Sequence, residues 1–284
     1  MKQAKTIDEQ LDILQNRGLV IKNRDYAYKV LQNINYYNLT GYLYLFKEEK
    51  NYHKDTSLEL AIKLYQFDNE MRNLLLSLTT EAEQLLKTRI AYQIALSYPK
   101  NPCIYTKKSF FVNSKEHSAF MSKFKKTVSR NKEIPFVKHH INHYNGAFPI
   151  WVAVELFTME NLKYLYRNLP SKLKKIISRE LNLSPETFES WIENIRILRN
   201  NLAHNMRLYG TKNRYVPKFE KHHEVTIKNN RLFVYFLLLK ELSQFDEHWL
   251  RDLDRLEDII QKYSDYIDLK LIGFPENWKD ILSK

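Results

Sequence analysis

Apolar residues recur at helical spacing along most of this chain. From Thr6 to Arg17, Ile7, Leu11 and Leu14 share one face and Gly18 stands where a C-terminal cap belongs; Asp25 to Asn33 repeats the pattern. The longest periodic stretch runs from Ser57 to Tyr98. Its Leu64, Phe67, Met71, Leu74, Leu75, Leu78, Ala82, Leu85 and Leu86 form one stripe, and Pro99 ends it. Further helices are predicted over Phe120 to Tyr144 (broken near Pro135), over Trp151 to Leu169 between two prolines, and over Lys172 to Glu180. Ser184 caps the next, with Pro185 at its first position; it runs to about Arg207 and Gly210 ends it. Arg231 to Phe245 and Glu247 to Tyr263 read as two closing helices. Glu224 to Tyr235 could instead be a hairpin around Asn229-Asn230, with helix preferred for its second half.

The connecting segments are less regular. Ile34 to Phe46 is dense in aromatics, which suit a packed helix junction better than a surface for stacking bases. Between Pro99 and Phe120, Pro102, the Lys107-Lys108 pair and several small polar residues predict an exposed connection. The expected organisation is all-α, with an N-terminal helical and aromatic segment over 1–56 and a helical domain over 57–284 that carries a basic insertion around 100–145.

Composition narrows the class. Hydrophobic residues make up 44% of the 284 and aromatics 13%, too apolar for disorder, and 5 glycines argue against a nucleotide-cradling α/β design. A single cysteine, Cys103, rules out an intramolecular disulfide and suits a reducing compartment. The N-terminus lacks an apolar stretch of signal-peptide length, and the longest apolar run, Leu232 to Leu239, is far short of the ~20 residues of a membrane span. A cytoplasmic protein with no membrane partner and no cofactor is expected.

The formal net charge of +12 favours polyanionic partners, RNA among them. Lys123, Lys126, Arg130 and Lys138 offer a candidate phosphate-contacting face, for which a merely solvated face is the competing reading. His139, His140 and His143 invite a metal reading, but no carboxylate with ligand spacing accompanies them and packing or RNA contact suits them better.

The Pro185 helix carries the candidate chemistry. Its register sets Trp191, Ile195, Leu198, Leu202 and Met206 on a buried stripe, with Arg196, Asn200 and His204 at four-residue steps on a neighbouring face and Arg199 at the seam. Those residue types suit metal-independent RNA cleavage. A 2′-hydroxyl needs a base and the departing 5′-oxygen an acid, either of which an imidazole can be. The pentacoordinate phosphorus carries negative charge that a guanidinium can meet with paired hydrogen bonds. Arg199 and His204 are the candidate catalytic residues, Asn200 can orient the imidazole or bind a phosphate oxygen, and Arg196 and Arg207 are further RNA contacts. The competing reading makes Arg196 and Arg199 helix C-terminal cations paired with Glu193, and His204 a capping residue. No second Arg and His pair at similar spacing occurs, so acid and base together call for a homodimer with this helix at its interface.

Several segments, in order, resemble the Abi (AbiD/AbiF-like) abortive-infection family, whose members are similar to HEPN proteins. They are Tyr36-Tyr37-Asn38-Leu39-Thr40-Gly41-Tyr42; Phe67-Asp68-Asn69-Glu70-Met71-Arg72 with Glu83 downstream; and His140-Ile141-Asn142-His143-Tyr144 leading to Pro149-Ile150-Trp151 and Glu155. Trp191 and Arg199-Asn200-Asn201-Leu202-Ala203-His204-Asn205 follow, then Gly273-Phe274-Pro275-Glu276-Asn277-Trp278. The resemblance implies a HEPN-like bundle with added terminal helices and a bacterial phage-defence protein acting on RNA through Arg199, Asn200 and His204. The alternatives are a non-catalytic RNA-binding module using the basic face, or a protein-interaction component that senses a phage protein.

Overall fold

The computed structural model describes residues 3–223, 230–243 and 245–284, and its architecture is the all-α bundle expected from the periodicity. Local capping sets the first elements. Helix α1 (Ile7–Asn16) opens on a capping box in which the Thr6 hydroxyl accepts the Glu9 N–H while the Glu9 carboxylate accepts the Thr6 N–H. Asn23 and Asn35 cap α2 (Arg24–Asn33) and α3 (Tyr36–Gly41) in the simpler way. A 3-10 turn over Tyr42–Phe46 then leads into a hairpin that the periodicity did not announce, β1 (Lys47–Glu48) against antiparallel β2 (Asn51–Tyr52).

Ser57 caps α4 (Leu58–Ser97), a single helix of 40 residues and therefore about 60 Å long. It is the column on which the molecule is assembled. Its first turns, through Leu58, Ala61 and Ile62, close an N-terminal cluster with Leu11, Leu14, Leu31, Leu39 and Leu43. From Leu64 to Ile94 it supplies the main core. The aromatic run at 36–46 serves this packing: Leu39, Tyr42 and Leu43 are buried, while Tyr37 and Tyr44 are exposed.

The connection after α4 is not the exposed one expected. Short 3-10 turns at Ile104–Thr106 and Lys108–Phe110 drive Tyr105, Phe110 and Phe111 into the core, where Tyr105 meets Phe120, Phe124 and Phe157 edge to face. The prolines and lysines here set the turns and the rim; the aromatics between them decide the burial.

The basic stretch forms α5 (Ser114–Arg130) and α6 (Pro135–His143), divided at the proline as expected. The helix predicted from Trp151 to Leu169 is instead two. Helix α7 (Ile150–Ala153) and a 3-10 turn over Val154–Leu156 precede α8 (Met159–Arg167), because Thr158 turns out of the helix to accept the Asn161 N–H as a cap. Helix α9 (Ser171–Arg179) follows, then α10 (Pro185–Ala203), capped by Ser184 and packed on both α4 and α8. Helix α11 (Phe233–Glu241), buried on all sides from Phe233 to Leu239, packs on α4 and α13 (Trp278–Ser283), and α12 (Asp246–Lys262) packs on the same two helices. The alternative hairpin at Glu224 to Tyr235 falls largely on 224–229, outside the described residues; from Phe233 onward the segment is helical. Among the described residues no helix is long and apolar enough to cross a membrane.

Helix α10 ends earlier than its periodicity suggests, and Met206 is not on the buried stripe but 55% exposed. Asn205 adopts the left-handed conformation (φ 52°), and the N–H groups of Met206 and Asn205 return to the carbonyls of Asn201 and Leu202 at 2.9 and 3.2 Å. This is a Schellman motif with Asn where Gly is commoner, so the true stop is Asn205 rather than Gly210.

A buried polar clamp on α4 holds the chain beyond that stop. Asp68, fully buried, accepts hydrogen bonds from the Leu208 N–H (2.7 Å), the Tyr209 N–H (2.9 Å) and the Tyr42 hydroxyl (2.8 Å). One turn later the Arg72 guanidinium donates to the Met206 carbonyl at 3.1 Å. Burial pushes the Asp68 carboxyl up to about 6, with the Leu208 N–H, the Tyr42 hydroxyl and the Arg72 charge pulling the other way.

Replacing Asp68 by Ala strands these buried donors and the Arg72 charge, and is expected to cost about 3–5 kcal/mol in urea denaturation. The folded protein holds the Asp68 proton more tightly than the unfolded chain, whose value is near 3.8. This group's stabilisation is therefore full below about pH 4 and lost as the pH rises to about 6. Comparing the pH dependence of unfolding for wild type and Asp68→Asn should show a downward slope in that window only for the former.

Candidate active site

Three elements converge on a cleft of about 410 Å³. Helix α4 contributes Glu83 and Lys87, α10 contributes Arg196, Arg199 and Asn200, and the turn into α8 contributes Phe157 to Glu160. The apolar stripe of α10 makes this possible: Trp191, Ile195, Leu198 and Leu202 are buried, which turns Arg196 and Asn200 toward α4 and α8.

Charge organises the floor. Lys87, almost fully buried, reaches one oxygen of Glu83 at 2.8 Å, and Arg199 Nε stands 3.9 Å from the other. The Arg199 side chain is otherwise open to solvent, 53% exposed. Arg196 is committed differently. Its Nε and a terminal nitrogen grip both oxygens of Glu193 at 2.8 and 2.9 Å, and Lys163 adds a third contact at 2.9 Å. Desolvation raises the Glu193 carboxyl, but the bonds from Arg196 and Lys163 outweigh it and hold the group below the usual range. The pairing of Arg196 with Glu193 is the one foreseen for ordinary helix cations.

The predicted site residues are thus only partly brought together. Arg196, Arg199 and Asn200 share the cleft, and Lys123 joins its rim through Glu160 at 2.6 Å while lying over the Tyr164 ring. His204 occupies the C-cap of α10, its N–H bonded to the Asn200 carbonyl at 3.0 Å; it is exposed and does not line the cleft. Arg207 folds back over Tyr42 at 6.0 Å. Lys126 and Arg130 project from α5 into solvent, and Lys138 lies 3.7 Å from Glu133.

Glu83 and Lys87 were not singled out together in the sequence, although Glu and Lys four residues apart are visible there. Nothing in that spacing distinguishes a solvated helix pair from one at the floor of a cleft. As for His139, His140 and His143, among the described residues no group of three or more His, Cys, Asp or Glu could hold a metal ion. His140 Nδ1 instead bonds the Phe136 carbonyl at 2.8 Å and its ring stacks on Phe148.

The structure is thus an all-α protein in which a long central helix clamps the exit of the helix that bears the Arg-Asn-x3-His pattern. The chain belongs to the Abi-like proteins: that family's model matches residues 29–210, from α2 through the clamped segment. Membership suggests a role in abortive infection, the defence of bacteria against phage. Neither a curated protein nor a solved structure matches the chain.

Glu83→Ala is expected to cost about 1–3 kcal/mol, because the nearly buried Lys87 ammonium loses its anion. Arg199→Ala, on an exposed side chain, should change stability by about 1 kcal/mol at most. Urea denaturation of the two variants separates the structural pair from the solvent-facing cation.

Proposed function

We propose that this Abi-like protein is a HEPN-type endoribonuclease, acting without metal as a homodimer whose α10 helices face each other. The observation that carries the reading is Arg199, a guanidinium loosely tethered by Glu83 and open to solvent at the mouth of a cleft, five residues before the exposed imidazole that ends the same helix. Its neighbour Arg196 is consumed by Glu193, so Arg199 is the cation of α10 that a phosphate can recruit without breaking a bidentate pair.

In the reaction, one imidazole takes the proton of the ribose 2′-hydroxyl as that oxygen attacks phosphorus. The second, protonated, gives its proton to the departing 5′-oxygen. A 2′,3′-cyclic phosphate and a 5′-hydroxyl end result, with Arg199 meeting the charge of the pentacoordinate phosphorus. Two His204 side chains are needed, one as base and one as acid, and a two-fold axis provides them.

His204→Ala and Arg199→Ala should each lower cleavage of a single-stranded RNA in EDTA by about 10²–10⁴-fold, with cyclic phosphate ends lost in parallel. Mixed dimers of wild type with His204→Ala, which keep one imidazole of the two, should cleave far more slowly than wild type if base and acid come from different chains. Cleavage that persists in both variants sinks the ribonuclease reading; salt-sensitive RNA binding with no cleavage by wild type favours a non-catalytic RNA-binding module using the α5 face.

A further inference from the structure

A second concave site lies on the other side of α5. A cavity of about 400 Å³ is bounded by Cys103, Tyr105 and Thr106, by Met121, Phe124, Lys125, Val128 and Ser129 of α5, and by 145–148 after α6. Phe124 and Phe148 form an edge-to-face floor, 5.9 Å between centroids. Its wall is held rigidly: the Tyr105 hydroxyl donates to the Phe148 carbonyl at 2.8 Å, and the Gly146 and Ala147 N–H groups return to the carbonyls of His140 and Tyr144. Beside Gly146, in the left-handed region at φ 71°, the space is open, with no atom within 4 Å of where a Cβ would stand.

From that floor a continuous series of rings leads outward over α6. Phe148 stacks on His140 (5.3 Å, 18° between planes), His140 meets Tyr144 at 5.2 Å, Tyr144 meets His139 at 5.5 Å, and His139 meets His143 at 4.8 Å. The outer members are not core. Tyr144 is 55% exposed, and His139 and His143 face solvent. Lys125, at the cavity wall, is exposed and has no ion pair among the described residues; the same holds for Lys126, Arg130 and Lys132 elsewhere on α5 and beyond its end, whereas Lys123 and Lys138 are paired.

We propose that this face grips a single-stranded RNA: one unpaired base enters the cavity against Phe124 and Phe148, the next stacks on Tyr144 and His139, and Lys125 meets the intervening phosphate. A series of rings that continues past the cavity, with Lys125 at its wall, fits several successive nucleotides, not one. The inference rests on RNA being the ligand of the proposed ribonuclease, and adds a holding site apart from the cleft at Arg199.

The test is binding of a fluorescent oligoadenylate of about ten nucleotides in EDTA, read by anisotropy, with circular dichroism confirming the fold. Ser129→Trp, which fills the cavity from an exposed helix position, and Tyr144→Ala should each weaken binding by about 10-fold. Lys125→Glu should weaken it and flatten its salt dependence. AMP should compete only at far higher concentration than the oligonucleotide. Binding that is unaffected by Ser129→Trp and Tyr144→Ala but weakened by Arg199→Ala overturns this site and leaves the ribonuclease reading standing. Competition by AMP at equal concentration also overturns it, making the cavity a mononucleotide site. Binding that falls with Ser129→Trp, Tyr144→Ala and Lys125→Glu, while neither wild type nor His204→Ala cuts RNA, supports the grip and removes the ribonuclease.

Discussion

Everything near the cleft depends on one buried carboxylate. Asp68 sits in the middle of the 40-residue column, where an unpaired charge would be intolerable, and it is satisfied by donors from two distant parts of the chain. Tyr42 brings in the N-terminal cluster; Leu208 and Tyr209 bring in the segment leaving α10. With Arg72 on the Met206 carbonyl, the clamp fixes the direction of the backbone immediately after Asn205, and with it the end of the helix that carries Arg199 and His204. The position of His204 is therefore decided about 140 residues away in sequence from the group that enforces it.

The same column supplies the electrostatics of the cleft. Glu83 lies roughly four turns beyond Asp68 on α4, and its carboxylate divides between a buried ammonium and an exposed guanidinium. The Lys87 bond is short and sheltered; the Arg199 contact is long and wet. An arriving anion competes with the second at little cost and with the first hardly at all. Glu83 thus orients Arg199 without consuming it, in contrast to Glu193, which holds Arg196 by both oxygens.

Much of this fold was legible because helical periodicity reports burial of apolar faces. The long stripe of α4, the proline break between α5 and α6 and the cap at Ser184 all follow from residues a few positions apart. What periodicity misses is burial of polar groups and decisions made by distant partners. Asp68 and Arg72 sit beside the stripe and look like solvated positions; only Tyr42 and the 206–209 segment make them interior. The stop at Asn205 was masked because Met206 continues the apolar pattern, and Thr158 was overlooked as a cap because the pattern runs straight through it. At 99–120 the prolines and lysines outweighed Tyr105, Phe110 and Phe111, the residues that determine where that segment lies. Of the cleft, Arg196, Arg199 and Asn200 were legible, whereas His204 lies outside it and the α4 pair was missed, since a Glu-Lys pair acquires its meaning from what packs above it.

The angular relation of Arg199 and His204 bears on why one copy of the motif leaves the chemistry incomplete. Five residues of α-helix turn the chain through about 140° beyond one full revolution, so the two side chains leave α10 in different directions, whereas Asn200 and His204, four residues apart, diverge by only about 40°. Arg199 faces the α4 cleft and His204 stands outside it at the cap. The two groups therefore do not converge within one chain. On the ribonuclease reading, a second α10 crossing the first near Asn200 brings both His204 imidazoles and both Arg199 guanidiniums to one groove, so that base and acid come from different chains. The helical repeat that separates the two groups within one chain is then what divides the site between two.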